Sequence, residues 1–153
     1  MAFHMHTFAA AGTAFLLAVL WLDLMFDVQS RKHATYPLPA EVLASISAYY
    51  RRVTTEAYPM NWLVRLVMWL TMSSIVAEMV EGVHPWWIGW VSLALAGGSV
   101  VIASRRTVPN ARRLGGAQDT PEMQSTLARA ICCDHLLNFA CMSLVLGLQL
   151  MGR

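Results

Sequence analysis

The stretch that decides the fold is residues 7–28, which reads TFAAAGTAFLLAVLWLDLMFDV. Its only charged side chains are Asp23 and Asp27, close to its end. A helix of about 20 mostly apolar residues crosses the hydrocarbon core of a bilayer. No Lys or Arg precedes the stretch and no small-residue cleavage site follows it, so we expect a retained membrane span and not a secretory signal peptide.

Three further stretches have a similar length and composition, at about residues 59–81, 85–104 and 127–151. Apolar residues make up 57% of the chain and charged residues only 13%, about half the share that is usual in soluble domains. Such a chain could hardly cover the surface of a soluble domain. The sequence therefore predicts a single all-α domain over residues 1–153, an integral membrane four-helix bundle.

The long polar connection between the first two spans predicts an additional helix. After two prolines, apolar side chains recur at helical spacing, namely Leu43, Ile46, Tyr50 and Val53. We expect an amphipathic cytoplasmic helix over about Pro39–Thr55 that lies on the membrane or extends the second span. Pro59 would then lie in the first turn of the second span or kink it.

The other two connections differ in length. The turn around Gly82 is so short that the second and third spans must be antiparallel. The connection from Arg105 to about Thr126 contains Pro109, the pair Gly115-Gly116 and Pro121, and we expect it to start as a loop. Asp119 or Thr120 before Pro121 is typical of a helix start.

The basic residues predict the orientation, because cytoplasmic connections of membrane proteins are enriched in Lys and Arg. Those in the two long connections are Arg31, Lys32, Arg51, Arg52, Arg105, Arg106, Arg112 and Arg113. The opposite side has only Arg153. We expect both long connections in the cytoplasm and both termini outside, in a bacterial inner membrane. The net charge of +2 is too small to suggest nucleic acid as a partner.

Small residues form a stripe on one face of the third span. They recur every three or four positions, as Gly89, Ser92, Ala96, Ser99 and Ala103. This spacing lets helix backbones approach closely inside a membrane. It predicts a close neighbour, either within the bundle or in a second protomer, and we expect a homo-oligomer.

Polar groups lie at a similar depth in three of the four spans. Each ionisable side chain at mid-membrane costs at least ~2.5–3.5 kcal/mol, so each needs a reason. Asp23 and Asp27 share a face of the first span, and Asn61 and Arg65 share a face of the second. On the fourth span, Asp134, Asn138 and Cys141 lie on one face with His135 beside it.

Two interpretations of this cluster stay open. In the first it lines a pocket open to the cytoplasm, with Asp134 and His135 as a candidate proton-transfer pair. In the second, Arg65 is merely neutralised by Asp134 or Asp23 inside the bundle. The candidate ligand-binding residues of the first interpretation are Asp23, Asp27, Tyr50, Arg51, Arg52, Arg65, Asn110, Arg113 and Asn138.

A metal site is not predicted. The sequence has no Glu-x-x-His pair of the kind found in di-iron bundles. At the outer end Glu78, Glu81 and His84 are spaced by three, and His4 and His6 should lie on the same side. Glu and His at this spacing can bind a transition metal, but ionisable residues also cost least at that end of a span, so both interpretations of this group stay open. No cofactor is indicated, and the three cysteines are interpreted as small apolar residues.

Three short segments carry a resemblance to small four-span membrane proteins. They are LDLMFDVQ at residues 22–29, YYRRVTT at residues 49–55 and RTVPN at residues 106–110. The whole layout is similar to the anthrone-oxygenase-like family, in which a polar segment of Val-Pro-Asn type follows the third helix. A looser resemblance is to the MAPEG glutathione-transferase family, whose arginine-rich cytoplasmic face binds glutathione; here EAYP at residues 56–59 resembles its segment opening the second helix.

The leading hypothesis is a multi-pass membrane protein that binds, or also chemically transforms, a small amphiphilic or anionic ligand from the cytoplasmic side. Membrane lipid is the other expected partner. The alternative is a non-enzymatic structural or assembly subunit that associates through the small-residue face of the third span. A transporter is less favoured, because no span is interrupted and no half-repeat is visible. Whether the chain is an enzyme stays open.

Overall fold

The computed structural model describes residues 2–151, with side chains from Thr7 to Met151. No strand occurs within that range, which confirms the all-α prediction. The helices are α1 (Ala2–Asp27), α2 (Gln29–Lys32), α3 (Ala40–Arg51), α4 (Tyr58–Glu81), α5 (Trp86–Ile102), α6 (Val108–Gly116) and α7 (Pro121–Met151).

Within residues 7–151, four helical stretches are long and apolar enough to cross a membrane: Thr7–Lys32, Tyr58–Glu81, Trp86–Gly116 and Pro121–Met151. In their most apolar windows only 22% to 39% of the residues are buried inside the protein. Most of their apolar surface therefore points outward, as at Trp69, whose side chain is exposed. Soluble monomers rarely expose apolar patches of this extent, whereas helices that face lipid do.

The predicted helix of the first long connection is present as α3, which is followed by a π-helical turn at Arg52–Glu56. Pro59 lies in the first turn of α4, one of the two expected positions. The buried face of α3 consists of Val42, Leu43, Ile46, Ser47 and Tyr50. This face packs on α6 and α7, so α3 lies across the end of the bundle. Its position on a membrane surface stays a prediction.

The prediction of a loop after Arg105 is wrong. The chain stays helical through a π-helical turn at Ala103–Thr107 and through α6 as far as Gly116. Pro109 lies in the first turn of α6, directly after the π-helical turn. Burial of α6 against α3 outweighs the weak helix propensity of its glycines. Only residues 117–120 form a loop, and α7 begins at Pro121 as predicted.

The largest apolar core lies at this end of the bundle, between α3, α6 and α7. It contains Leu38, Val42, Leu43, Ile46, Tyr50, Ala111, Leu114, Leu127, Ala128 and Ile131. Gly115 allows α6 to approach α3, because a Cβ added there would lie 2.8 Å from the Arg51 backbone nitrogen. This core fixes α3 against the spans and so places the last turn of α3 over the end of α1.

The small-residue stripe of α5 has its neighbour within the chain. Gly89, Ser92, Ala96 and Ser99 are all buried. Ala96 packs with Leu16 of α1 and Met142 of α7. Of the two predicted neighbours, the structure thus has the one inside the bundle, and the chain's own helices cover this face.

Candidate functional site

Polar side chains from α1, α3 and α7 converge at the arginine-rich end of the bundle. Asp23 and Asp27 lie one turn apart near the end of α1, and Tyr49 and Tyr50 lie in the last turn of α3. His135 lies near the middle of α7, which packs against α1. Three hydrogen bonds and one 3.9 Å contact between Asp23 and His135 join these five side chains into one group, which we call the carboxylate–histidine cluster.

Asp27 is the fully buried centre of the cluster, with 0% of its surface exposed. The Tyr50 hydroxyl donates to Asp27 Oδ1 at 2.5 Å. The Nδ1 atom of His135 lies 2.6 Å from Asp27 Oδ2. Both carboxylate oxygens are therefore partnered, as a buried carboxyl group requires. Asp27 fixes the orientation of the imidazole ring on one side.

Asp23 lies on the other side of the same ring and is less enclosed. Its Oδ2 atom is 3.9 Å from His135 Nε2, and its Oδ1 atom accepts a hydrogen bond from the Tyr49 hydroxyl at 2.5 Å. The Tyr49 ring stacks on Phe26, with ring centres 4.1 Å apart and planes 10° apart. His135 thus lies between a buried carboxyl group at Nδ1 and a partly exposed one at Nε2.

The two phenols are held as hydrogen-bond donors. Burial raises the pKa of both Tyr49 and Tyr50 well above the ordinary tyrosine value. The nearby carboxylates add to the effect, Asp23 chiefly for Tyr49 and Asp27 chiefly for Tyr50, because a second negative charge would be repelled. Both hydroxyls therefore stay protonated throughout the physiological pH range.

Asp134 belongs to a different set of contacts. Its Oδ1 atom is 3.1 Å from Arg106 Nη2, and its Oδ2 atom accepts a hydrogen bond of 3.3 Å from the Thr107 hydroxyl. The expected pairing of Asp134 with His135 does not form, because consecutive residues of a helix point about 100° apart. The residue that neutralises Asp134 is Arg106.

The alternative interpretation, in which Arg65 is neutralised inside the bundle, is wrong. Arg65 is exposed and has no ion pair within the described part of the chain. It lies on the outward face of α4, one turn above Asn61, whose side-chain amide donates to the Val53 carbonyl at 3.1 Å. The pair predicted to share a face of the second span is therefore not part of the cluster.

The remaining predicted ligand-binding residues lie outside the cluster. Arg51 and Arg52 are exposed at the end of α3. Arg113 makes two 2.8 Å hydrogen bonds to Asp119, and these lower the pKa of the Asp119 carboxyl group. Asn110 is half-buried on α6. Asn138 is buried one turn beyond Asp134, and its Oδ1 atom has no hydrogen-bond partner among residues 7–151.

Tyr49 is the cluster member that was not selected from the sequence. Its neighbour Tyr50 is predicted as a ligand-binding residue that supplies a hydroxyl group or stacks on the ligand, and it also continues the apolar spacing of α3. Tyr49 falls off that spacing, and its contact with Asp23 exists only because α3 folds back across α1. The signal in the sequence for this contact is the adjacent pair Tyr49-Tyr50 at the end of an apolar stripe. Two consecutive helical side chains cannot both lie on the buried face, so Tyr49 points toward a different neighbour from Tyr50.

Cavities occur near both ends of the bundle, and neither of the two described below is lined by Asp23 or His135. At the arginine-rich end, a groove of about 320 Å³ is lined by Ser30, Arg31, His33, Ala34, Arg129 and Cys133. At the opposite end, a narrow space beside Glu78 and Gln149 has no room for a water-sized molecule. The predicted pocket lined by the cluster residues stays a prediction.

No group of three or more His, Cys, Asp or Glu side chains in residues 7–151 has a geometry suited to a metal ion. At the end of the bundle opposite the arginine-rich end, Glu78 Oε2 is 3.9 Å from His84 Nε2. The side chains of His4 and His6, which were expected beside them, lie outside the described residues.

Comparison of the chain with protein families, curated proteins and solved structures found no match. The resemblances to the anthrone-oxygenase-like and MAPEG families therefore stay predictions, and no residue role is taken from them.

Proposed function

We propose that the chain is an integral membrane protein with four spans, whose carboxylate–histidine cluster binds the polar head of a small amphiphilic molecule and exchanges protons with it. The observation that carries this proposal is the contact of 2.6 Å between His135 Nδ1 and the buried Asp27 carboxyl group. Polar groups inside a span are costly, and this cluster contains more of them than the neutralisation of one charge requires.

The chemistry follows from the unequal surroundings of the two imidazole nitrogens. A carboxylate beside Nδ1 favours the tautomer that has its proton on Nδ1, and it orients the ring. The Nε2 atom is then free to accept a proton from a bound hydroxyl group or to return it. Asp23 and Tyr49, at the more exposed edge, are placed to hold that hydroxyl group by hydrogen bonds.

The contacts favour a neutral head group with a hydroxyl or keto oxygen. Two carboxyl groups flank His135 and would repel a bound anion at this position. The arginines expected to attract an anion do not enter the cluster: Arg51 and Arg52 are exposed, and Arg113 is engaged by Asp119. An apolar tail on the ligand would lie along the outward apolar surface of α1.

The arginine-rich end of the bundle is proposed to face the cytoplasm of a bacterial cell. Support comes from topology, because the segments that carry the basic residues, from Arg31 to Arg52 and from Arg105 to Arg129, meet at this end. Cytoplasmic enrichment of Lys and Arg is the general rule for multi-pass proteins.

A structural or assembly subunit is the second candidate. It was expected to associate through the small-residue face of the third span. That face is buried within the chain, so a homo-oligomer would have to use the outward apolar faces of the helices. The cluster then would serve only to fix α3 on α1 and α7.

The two candidates are separated by binding of 2-naphthol, a fluorescent apolar phenol, to the purified protein in maltoside micelles. We expect saturable binding that weakens about tenfold in Asp23→Asn, which removes the charge that strengthens a hydrogen bond, and in His135→Gln, which removes the proton-accepting ring nitrogen. Glu122→Gln is the matched control, because the Glu122 side chain is exposed at the start of α7.

Size-exclusion elution and circular dichroism show whether each variant keeps the wild-type fold. Folded variants that bind 2-naphthol as tightly as the wild type would contradict the proposal. Uptake of 2-naphthol that is no greater than that of protein-free micelles would contradict it as well.

A further inference from the structure

The groove at the arginine-rich end is separate from the carboxylate–histidine cluster. It lies between the segment that follows α1 and the first half of α7, and its six lining residues include none of the five cluster residues. Its volume of about 320 Å³ is at the lower end of the ~300–1,000 Å³ that is usual for small-molecule sites. The groove is therefore large enough for a small polar group.

The lining of the groove is basic. Arg31 and Arg129 contribute two guanidinium groups and His33 an imidazole, and no Asp or Glu of the described residues lines the groove. The backbone N–H of Arg31 donates to the Val28 carbonyl at 3.1 Å, but its guanidinium group makes no hydrogen bond or ion pair to any residue of the described range. An arginine without a carboxylate partner, placed at a concave surface, favours the binding of an anion.

Arg129 has a structural task as well as free donors. Its Nη2 atom donates to the backbone carbonyls of His33 at 3.2 Å and Thr35 at 2.9 Å. These bonds hold the segment after α2 against α7 and so form the wall of the groove. A guanidinium group has five N–H donors, so three of those of Arg129 remain for a ligand.

We infer that this groove binds a phosphate group, with Arg31 and Arg129 as its principal ligands. Guanidinium groups match the geometry of phosphate oxygens by paired hydrogen bonds, and two of them on facing walls can contact one phosphate from both sides. The phosphate could belong to an anionic lipid head group or be free in solution. This inference does not rest on proton exchange at the cluster.

Cys133 provides a reporter inside the groove. Its side chain is exposed and lines the cavity, whereas its neighbour Cys132 is fully buried. Cys141 is half-buried and can be replaced by Ser, so that its thiol does not react alongside that of Cys133. A ligand in the groove would cover the Cys133 thiol and slow its alkylation by a maleimide.

The experiment measures the alkylation rate of Cys133 in Cys141→Ser protein in maltoside micelles, with peptide mass spectrometry to assign the modified thiol. Three probes are added in turn: inorganic phosphate, dioctanoyl phosphatidic acid and dioctanoylglycerol, which has the same acyl chains without phosphate. We expect protection by phosphatidic acid and none by dioctanoylglycerol. Protection by inorganic phosphate as well would identify a site open to free phosphate, and its absence would identify a lipid site.

Arg31→Gln should raise the concentration of phosphatidic acid needed for half-protection by about tenfold, because one charged donor pair is lost. Lys32→Gln is the matched control, since Lys32 is an adjacent exposed cation that does not line the groove. The inference would be overturned if neither phosphate compound protects Cys133, if dioctanoylglycerol protects it equally, or if Arg31→Gln and Lys32→Gln behave alike.

Discussion

Removal of the Tyr50 hydroxyl by Tyr50→Phe is expected to destabilise the protein more than the same change at Tyr49. Tyr50 donates to the fully buried Asp27, where no water can replace the lost donor, and a hydrogen bond to a charged group is worth ~1.5–3 kcal/mol. Tyr49 donates to Asp23, which is partly exposed, so water can replace much of the bond and the loss should be ~0.5–1.5 kcal/mol.

The expected difference of about 1 kcal/mol corresponds to roughly a fivefold difference in the unfolding equilibrium constant. It can be measured by reversible unfolding in mixed micelles of maltoside and dodecyl sulfate, followed by tryptophan fluorescence. Tyr58→Phe is the control, because Tyr58 is 71% exposed and should tolerate the change. Equal losses at Tyr49 and Tyr50, or a larger loss at Tyr49, would refute the assignment of Asp27 as the buried centre of the cluster.

Two further predictions concern pH and helix packing. The pKa of Tyr49 and of Tyr50 is raised in the folded state, so their contribution to stability is complete below the ordinary tyrosine pKa of about 10 and is lost as the pH rises beyond it. The denaturant concentration at the unfolding midpoint should therefore decrease as the pH rises above about 10 in the wild type. It should decrease less steeply in the double variant with both tyrosines changed to Phe, and identical pH profiles would contradict this prediction. Gly115→Ala should cost ~1–3 kcal/mol, because its Cβ would meet the Arg51 backbone at 2.8 Å, whereas Gly116→Ala, which meets nothing within 4 Å, should be neutral or slightly stabilising. The same unfolding assay compares the two alanine variants, and equal stabilities would show that α6 does not approach α3 as described.

The four apolar helices could be predicted from the sequence because length and composition alone define them. The first span was expected at residues 7–28, and the helix runs to Asp27. The connection after the third span was predicted less well. Pro109 and the pair Gly115-Gly116 are local signals for a loop, but the contact between α6 and α3 is a long-range one that periodicity in a single segment does not reveal.

The sequence predicts the depth at which the polar residues of the candidate site lie along their helices, but not which side chains pair with one another. The spacing of Asp23 and Asp27 placed both on one face, and His135 was recognised as lying at a similar depth on α7. Which carboxyl group meets which partner depends on the rotation of α7 about its axis. That rotation directs Asp134 to Arg106 and His135 to Asp27.

The order in which the chain is synthesised gives the contact between Asp27 and His135 a further consequence. The two residues are 108 positions apart, so a ribosome that adds ~5–20 residues per second reaches His135 about 5–20 s after Asp27. During that interval α1 exists without the imidazole that later partners its acid. Assembly of the arginine-rich end is therefore completed only after α7 has been synthesised. A chain truncated before α7 would leave Asp27 without that partner.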